Sequence, residues 1–138
     1  MVDAARVAPA APDAEMFVIS GFMARPGQIP NYPEVTDLIF TYDHQLIWRA
    51  MRQMDTTLTP GDFAYELLDV LRARHPRESD RLWERIVSQE FVVHSWSENI
   101  ERLEKCALAR RLINTAQEIA ERAWRLDNDG ALRIIQRW

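Results

Sequence analysis

Along most of the chain the apolar positions recur at intervals of three and four, the period of an amphipathic helix. The last third is the clearest case. Leu112, Ala116, Ile119 and Ala123 fall on one stripe of a helix predicted over about 96–125, and Ala109, Ile113, Ala120 and Trp124 widen that stripe. Ser95 and Glu98 have the spacing of a capping box at its start. At 1.5 Å per residue this helix is roughly 45 Å long. Glu98–Arg102, Glu101–Lys105, Glu118–Arg122 and Glu121–Arg125 are i,i+4 pairs in the favourable orientation. Asp127-Asn128-Asp129-Gly130 predicts a turn, and a short final helix carries Leu132, Ile134, Ile135 and Trp138. The chain therefore ends in a helical hairpin with small residues in its seam.

Upstream, residues 1–12 are rich in Ala and Pro and predict a flexible arm. Asp13 is expected to cap a helix with Glu15 in its first turn. Phe17, Val18, Ile19, Phe22 and Met23 mark that helix for burial. Gly21 inside it costs about 1 kcal/mol relative to Ala, which anticipates close approach by another helix. The prolines and glycine of ARPGQIPNYP (24–33) predict a loop, and a short helix follows over 34–40. Asp43 is expected at the next N-cap and His44 at the first helical position. Leu46, Ile47, Ala50, Met51 and Met54 follow at helical spacing, with Tyr42 and Ile47 placed as a hydrophobic staple. Thr59-Pro60-Gly61-Asp62 predicts another start, with Thr59 and Asp62 as a capping box. Its helix would bury Phe63, Leu67, Val70 and Leu71 and end at His75-Pro76. Ser79 opens a helix that buries Leu82, Trp83, Ile86 and Val87, and FVVHSW (91–96) reads as extended or a turn. The expected fold is all-α in a single domain: an arm over 1–12, a helical head over 13–95 and a hairpin over 96–138.

Composition narrows the function. A chain of 138 residues buries roughly two-thirds of its unfolded surface, so its core needs neither disulfide nor metal. The net charge of −4 argues against a domain that grips nucleic acid by its phosphates, leaving DNA contact at most weak. One cysteine, Cys106, permits no disulfide within the chain. No apolar run approaches the roughly 18 residues of a membrane span, and MVDAARVAPAAP has no hydrophobic signal core, so the cytoplasm is expected. With four glycines there is no GxxxxGK[ST] or GxGxxG, and GxSxG, CxxC and HExxH are also missing. No cofactor or metal is expected, and the chain does not read as an enzyme. Asp43 and His44 look like an acid–base pair, but His75 and His94 stand apart and no second ligand or nucleophile lies nearby. Such sites need several groups to converge, so the pair reads as structural. The alternative is a small enzyme that uses it with acids such as Glu15 or Glu34.

Two stretches together carry a family resemblance. LIFTYDHQLIWRAM (38–51) has Ile39 and Phe40 where the family has an aromatic pair, then a short turn and an Asp-His before an apolar helix, with Trp48 where the family has Phe. RRLINTAQEIAERAW (110–124) follows the pattern Arg-Arg-Leu-Ile-x-x-Ala-x-x-Ile-Ala-x-x-Ala-aromatic. DAEMFVISGFM (13–23) and TPGDFAYELLDVL (59–71) fit the same order and spacing. Over about 12–138 the chain resembles the N-terminal domain of the bacterial hexameric replicative DNA helicases, the DnaB family. It departs from the family between 76 and 95, where a Gly-Gly-x-x-Tyr-Leu segment is missing, and it stops at Trp138, where the family begins its linker to an ATPase domain.

The resemblance implies a helical head and a hairpin that pairs between subunits to build a collar on the hexamer, receiving primase and, in some systems, a loader. Asp43, His44, Ile47 and Trp48 then act as structural family markers. Self-association would fall to Leu112, Ala116, Ile119, Ala123, Trp124, Ile134, Ile135 and Trp138, with Arg110, Arg111, Arg122 and Arg125 as polar partner contacts. Expected partners are a second copy in a dimer or hexameric collar, the helicase-binding domain of primase, and a loader or host helicase. The alternative is a stand-alone helical regulator or adaptor that binds a host helicase or DNA.

Overall fold

In a computed structural model, residues 9–88 and 96–138 are described. They form six α-helices: α1 (Pro12–Ala24), α2 (Tyr42–Arg52), α3 (Pro60–Arg74), α4 (Ser79–Val87), α5 (Trp96–Trp124) and α6 (Asn128–Arg137). Two 3-10 helices, Pro26–Asn31 and Asp37–Ile39, join α1 to α2. No strand occurs among the described residues, so the fold is all-α as expected.

The head is built around α1. A helix apolar on every side is stable only when surrounded, and α1 is buried almost throughout from Ala14 to Met23. It is packed by α2, α3 and α5. Ile47, Trp48 and Met51 come in from α2, and Phe63, Leu67 and Leu71 from α3. Leu82 and Ile86 of α4 and Trp96, Ile100 and Leu103 of α5 complete the core. Phe22 stacks on Trp96 with ring centroids 4.9 Å apart and an interplanar angle of 11°. Tyr32 and Trp48 pack against Phe22 at 5.5 Å and 5.2 Å. Gly21 makes the stack possible, because a Cβ there would lie 2.1 Å from Trp96 Nε1. The close approach anticipated at Gly21 is this indole at the start of α5.

Several local details differ from expectation. Ala11, not Asp13, is the N-cap of α1; Pro12 takes the first helical position and Asp13 the second. Asp13 pairs with Arg102 at 3.4 Å, and Arg102 therefore turns to the head and not to Glu98. The described end of the arm is docked: Ala11 is buried and the Pro9 carbonyl accepts from Arg110 Nη1 at 2.7 Å. Most of the loop at 24–33 is a 3-10 helix, and the short helix expected over 34–40 shrinks to one 3-10 turn. α3 begins as expected, the Thr59 hydroxyl accepting from Asp62 N–H at 3.2 Å, and ends at His75. In α4, Leu82 and Ile86 are buried, but Val87 is 53% exposed. Ser95 of the expected capping box and the first five residues of FVVHSW lie outside the described residues.

The hairpin turn falls earlier than its Asp/Gly-rich sequence implies. Leu126 adopts a left-handed conformation, φ 61°. Asp127 N–H then bonds back to Arg122 O at 2.9 Å and Leu126 N–H to Ala123 O at 3.0 Å, the double closure of a Schellman motif. Asp127 caps α6, its carboxylate accepting from Gly130 N–H at 2.9 Å. Residues 128–130 are thus the first turn of α6, because Asp and Asn serve N-caps as well as turns. Gly130–Asp127 and Arg122–Asp127 hydrogen bonds hold this carboxyl below the ordinary aspartate range.

Candidate functional site

The hairpin leaves the head after its first turns. In α5 only Trp96, Ile100 and Leu103 are buried, and in α6 only Gly130 and Ala131. From Arg111 to Trp124, about 20 Å at 1.5 Å per residue, α5 has no buried residue. None of the eight residues expected to carry association is buried. Ile119 and Ile134 are half-buried, while Leu112, Ala116, Ala123, Ile135 and Trp138 are exposed. Trp124 is 87% exposed and Leu126, at the tip, 83%. Leu112, Thr115, Ala116 and Ile119 of α5 and Ile135 and Trp138 of α6 line a shallow apolar recess of about 260 Å³.

The four arginines expected to face a partner are all engaged within the chain. Arg110 clamps the head, donating to Pro9 O at 2.7 Å and to Leu38 O at 3.5 Å. Arg111 lies 4.1 Å over the Trp138 ring, a cation–π contact that pins the C-terminus against α5. Arg122 bonds Asp127 at 3.0 Å and reaches Glu118 at 4.0 Å, and Arg125 bonds Glu121 at 2.6 Å. The expected Glu101–Lys105 pair is also formed, at 3.3 Å. Arg111, Arg122 and Arg125 thus act within the hairpin, and among the described residues its apolar recess stays open.

Asp43 and His44 are not a pair. α2 starts at Tyr42 with Thr41 as N-cap, so Asp43 takes the second helical position and His44 the third. Asp43 caps nothing. Its carboxylate binds Arg85 Nε at 2.8 Å and Arg81 Nη2 at 3.0 Å on α4. Tyr42 is exposed and forms no staple. The residue before the cap that packs inward is Phe40, against Trp48 at 5.5 Å. Ile47 and Trp48 are fully buried, and Trp48 donates Nε1–H to Val35 O at 3.1 Å.

The partner of His44 is Glu15, a fully buried carboxylate in α1. Glu15 Oε1 lies 3.3 Å from His44 Nδ1, and it accepts from Thr41 N–H. The Thr41 hydroxyl sits 2.9 Å and 3.0 Å from its two oxygens. In a capping box the third helical residue is a Glu or Gln that reaches back to the N-cap N–H. Here that position is His44, and Glu15 supplies the carboxylate from another helix. Burial pushes the Glu15 carboxyl up, but the hydrogen bonds from His44 and Thr41, with the charge of His44, outweigh it and hold the group below its ordinary value. The signal in the sequence was a carboxylate inside a helix otherwise marked for burial. His44 also lines a recess of about 240 Å³ together with Pro12, Asp13, Met16, Arg85 and Ser88. The pair orients an imidazole, and neither Ser88, whose hydroxyl donates to Arg85 O at 3.0 Å, nor any thiol is bonded to it.

Among the described residues no group of three His, Cys, Asp or Glu side chains is arranged to hold a metal ion. No helix among them is long and apolar enough to cross a membrane. No known protein family, curated protein or solved structure matches this chain.

Proposed function

We propose that this protein is a non-catalytic association domain of the bacterial replication machinery, acting in the cytoplasm. It pairs with itself through its C-terminal hairpin, in the manner of a replicative-helicase collar, and offers the resulting assembly to the helicase-binding domain of primase or to a loader. The observation that supports this most is the projecting hairpin, whose apolar stripe is left open along α5 and α6. An uncovered stripe of this kind marks an interaction surface. The order of head and hairpin, and the DnaB-like segments 38–51 and 110–124 within them, give the reading its finer content.

The test is sedimentation velocity of the wild type and of Ile119→Asp, followed by calorimetric titration with the helicase-binding domain of primase. Ile119 is half-buried on the open face, so the variant should keep its far-UV circular dichroism. In a two-fold pair the substitution occurs twice, and losing two isoleucine burials of about 1.5 kcal/mol each weakens dimerisation roughly 100-fold or more. A folded variant that assembles like the wild type overturns the hairpin as the association surface. Saturable heat with a dimer or larger assembly supports docking of primase, and no heat with an intact assembly overturns that part alone.

A further inference from the structure

The long helix α5 carries a charge pattern that its own fold leaves partly unused. Glu104, Arg111, Glu118 and Arg125 follow one another at intervals of seven residues, close to two helical turns, so they lie on one stripe with alternating sign. All four are exposed. Glu104 makes no ion pair among the described residues. Arg111 meets the Trp138 ring, a neutral partner. Glu118 stands 4.0 Å from Arg122, which is bonded more closely to Asp127, at 3.0 Å. Arg125 is tied to Glu121 at 2.6 Å. The two inner charges, Arg111 and Glu118, line a groove of about 490 Å³ together with Leu38, Ala107, Leu108 and Asn114. At about 10 Å apart along the axis they are too distant to pair with each other in one chain.

We propose that this stripe fixes the direction in which two copies pair: α5 meets α5 of a second copy antiparallel, crossing between Asn114 and Thr115. The inference rests on the self-association proposed above and adds its direction and register. Reversal about that point sets Arg111 against Glu118 of the second copy and Glu104 against its Arg125. Every pair on the stripe is then of opposite sign, and two-fold symmetry makes each pair occur twice. A parallel pair in register sets Glu on Glu and Arg on Arg at all four positions. Charge therefore selects the antiparallel form, as flanking charges select orientation in coiled coils. Because Arg125 is shared with Glu121, the inner pair carries most of this selection. The crossing point is kept open by small and polar side chains, and Thr115 lines both this groove and the apolar recess beside α6. The same reversal brings the tip of one copy to the head end of the other. Trp124 and Leu126 are exposed at the tip, and Leu38 and Leu108 are exposed at the head end. Large apolar side chains at the two ends of the helix thus cover one another.

The experiment reverses the inner charges. Sedimentation velocity of the full chain compares the wild type with Arg111→Glu, Glu118→Arg and the double variant, with far-UV circular dichroism confirming that each is folded. A single reversal turns two attractive pairs into two repulsive ones and should weaken self-association roughly ten-fold. The double variant restores opposite signs in the antiparallel pair. It lacks the Trp138 contact just as Arg111→Glu does, so its recovery over that variant isolates the charge pair. A parallel pair gains nothing from the second reversal. Direction is read independently from the distance between nitroxides at Glu101→Cys in a Cys106→Ala background, measured by pulsed electron resonance. That distance is about 40 Å across the antiparallel pair and under about 20 Å across a parallel one. A wild type that stays monomeric overturns self-association through the hairpin, and this proposal with it. A dimer with the short distance, single reversals without effect, or a double variant that recovers nothing overturns the antiparallel register alone.

Discussion

Removing the Glu15 carboxylate tests how the head is locked together. Three donors depend on it: the part-buried Thr41 N–H and Thr41 hydroxyl, and the buried His44 Nδ1. Glu15→Ala strands all three at about 1–1.5 kcal/mol each, so the loss should be about 4 kcal/mol. That is a large part of the 5–15 kcal/mol expected for a domain of this kind, and it lowers the thermal midpoint by roughly 12 °C. Glu15→Gln keeps the size and one acceptor oxygen, and should cost about 1–2 kcal/mol. The pH dependence has a definite sign. The folded carboxyl titrates below its ordinary value of 4.5, so its stabilisation is fully present above that value and is lost as pH falls through the folded pKa. The gap between wild type and Glu15→Gln should hold at neutral pH and close on acidification. Urea unfolding read by tryptophan fluorescence at about pH 7 and about pH 3 measures this, because Trp48 and Trp96 lie in the core that unfolds. A Glu15→Ala variant within about 1 kcal/mol of wild type would refute the reasoning, as would a wild-type-to-Gln gap that ignores pH.

The hairpin turn and the helix crossing give two more expectations, beside that for Ile119→Asp. Leu126 holds a left-handed φ without the freedom of glycine. Leu126→Gly should relieve about 1 kcal/mol of backbone strain and return part of it to the unfolded chain's entropy, a net gain of roughly 0.5 kcal/mol. Slower hydrogen exchange of the α6 amides checks it, and faster exchange would show that the turn is not strained. Gly21→Ala places a Cβ against the Trp96 indole and should destabilise by about 2–3 kcal/mol through overpacking. Loss of the near-ultraviolet signal of the Phe22–Trp96 stack is the readout, and an unchanged spectrum with unchanged stability would refute the packing argument.

What was legible in the sequence was what local periodicity controls. The stripe of α5, its near-exact span and the Thr59 cap of α3 all depend on residues within one or two turns of each other. Asp43 shows where such reading stops. Thr41 and Asp43 are both N-cap residue types, and nothing within the segment chooses between them. The choice is made from outside it, by Arg81 and Arg85 about forty positions further on and by Glu15 on an earlier helix. The hairpin turn was displaced for a related reason: Asp127-Asn128-Asp129-Gly130 satisfies the chemistry of a turn and of a helix start alike. The left-handed leucine that makes the reversal carries no sequence signal.

The candidate surfaces divide along the same line. Period alone identified the stripe Leu112–Ala123 as one face of a helix, but it could not say what lies opposite that face. Only the fold shows that α1 is enclosed by α2, α3 and α5 and that, among the described residues, no residue of the stripe Leu112–Ala123 is buried. The head has therefore met its apolar requirement without the hairpin stripe, while Arg111, Arg122 and Arg125 are engaged within the hairpin and Arg110 with Pro9 and Leu38. On the proposed reading, a stripe that the domain does not need for its own core is the surface that meets a second copy.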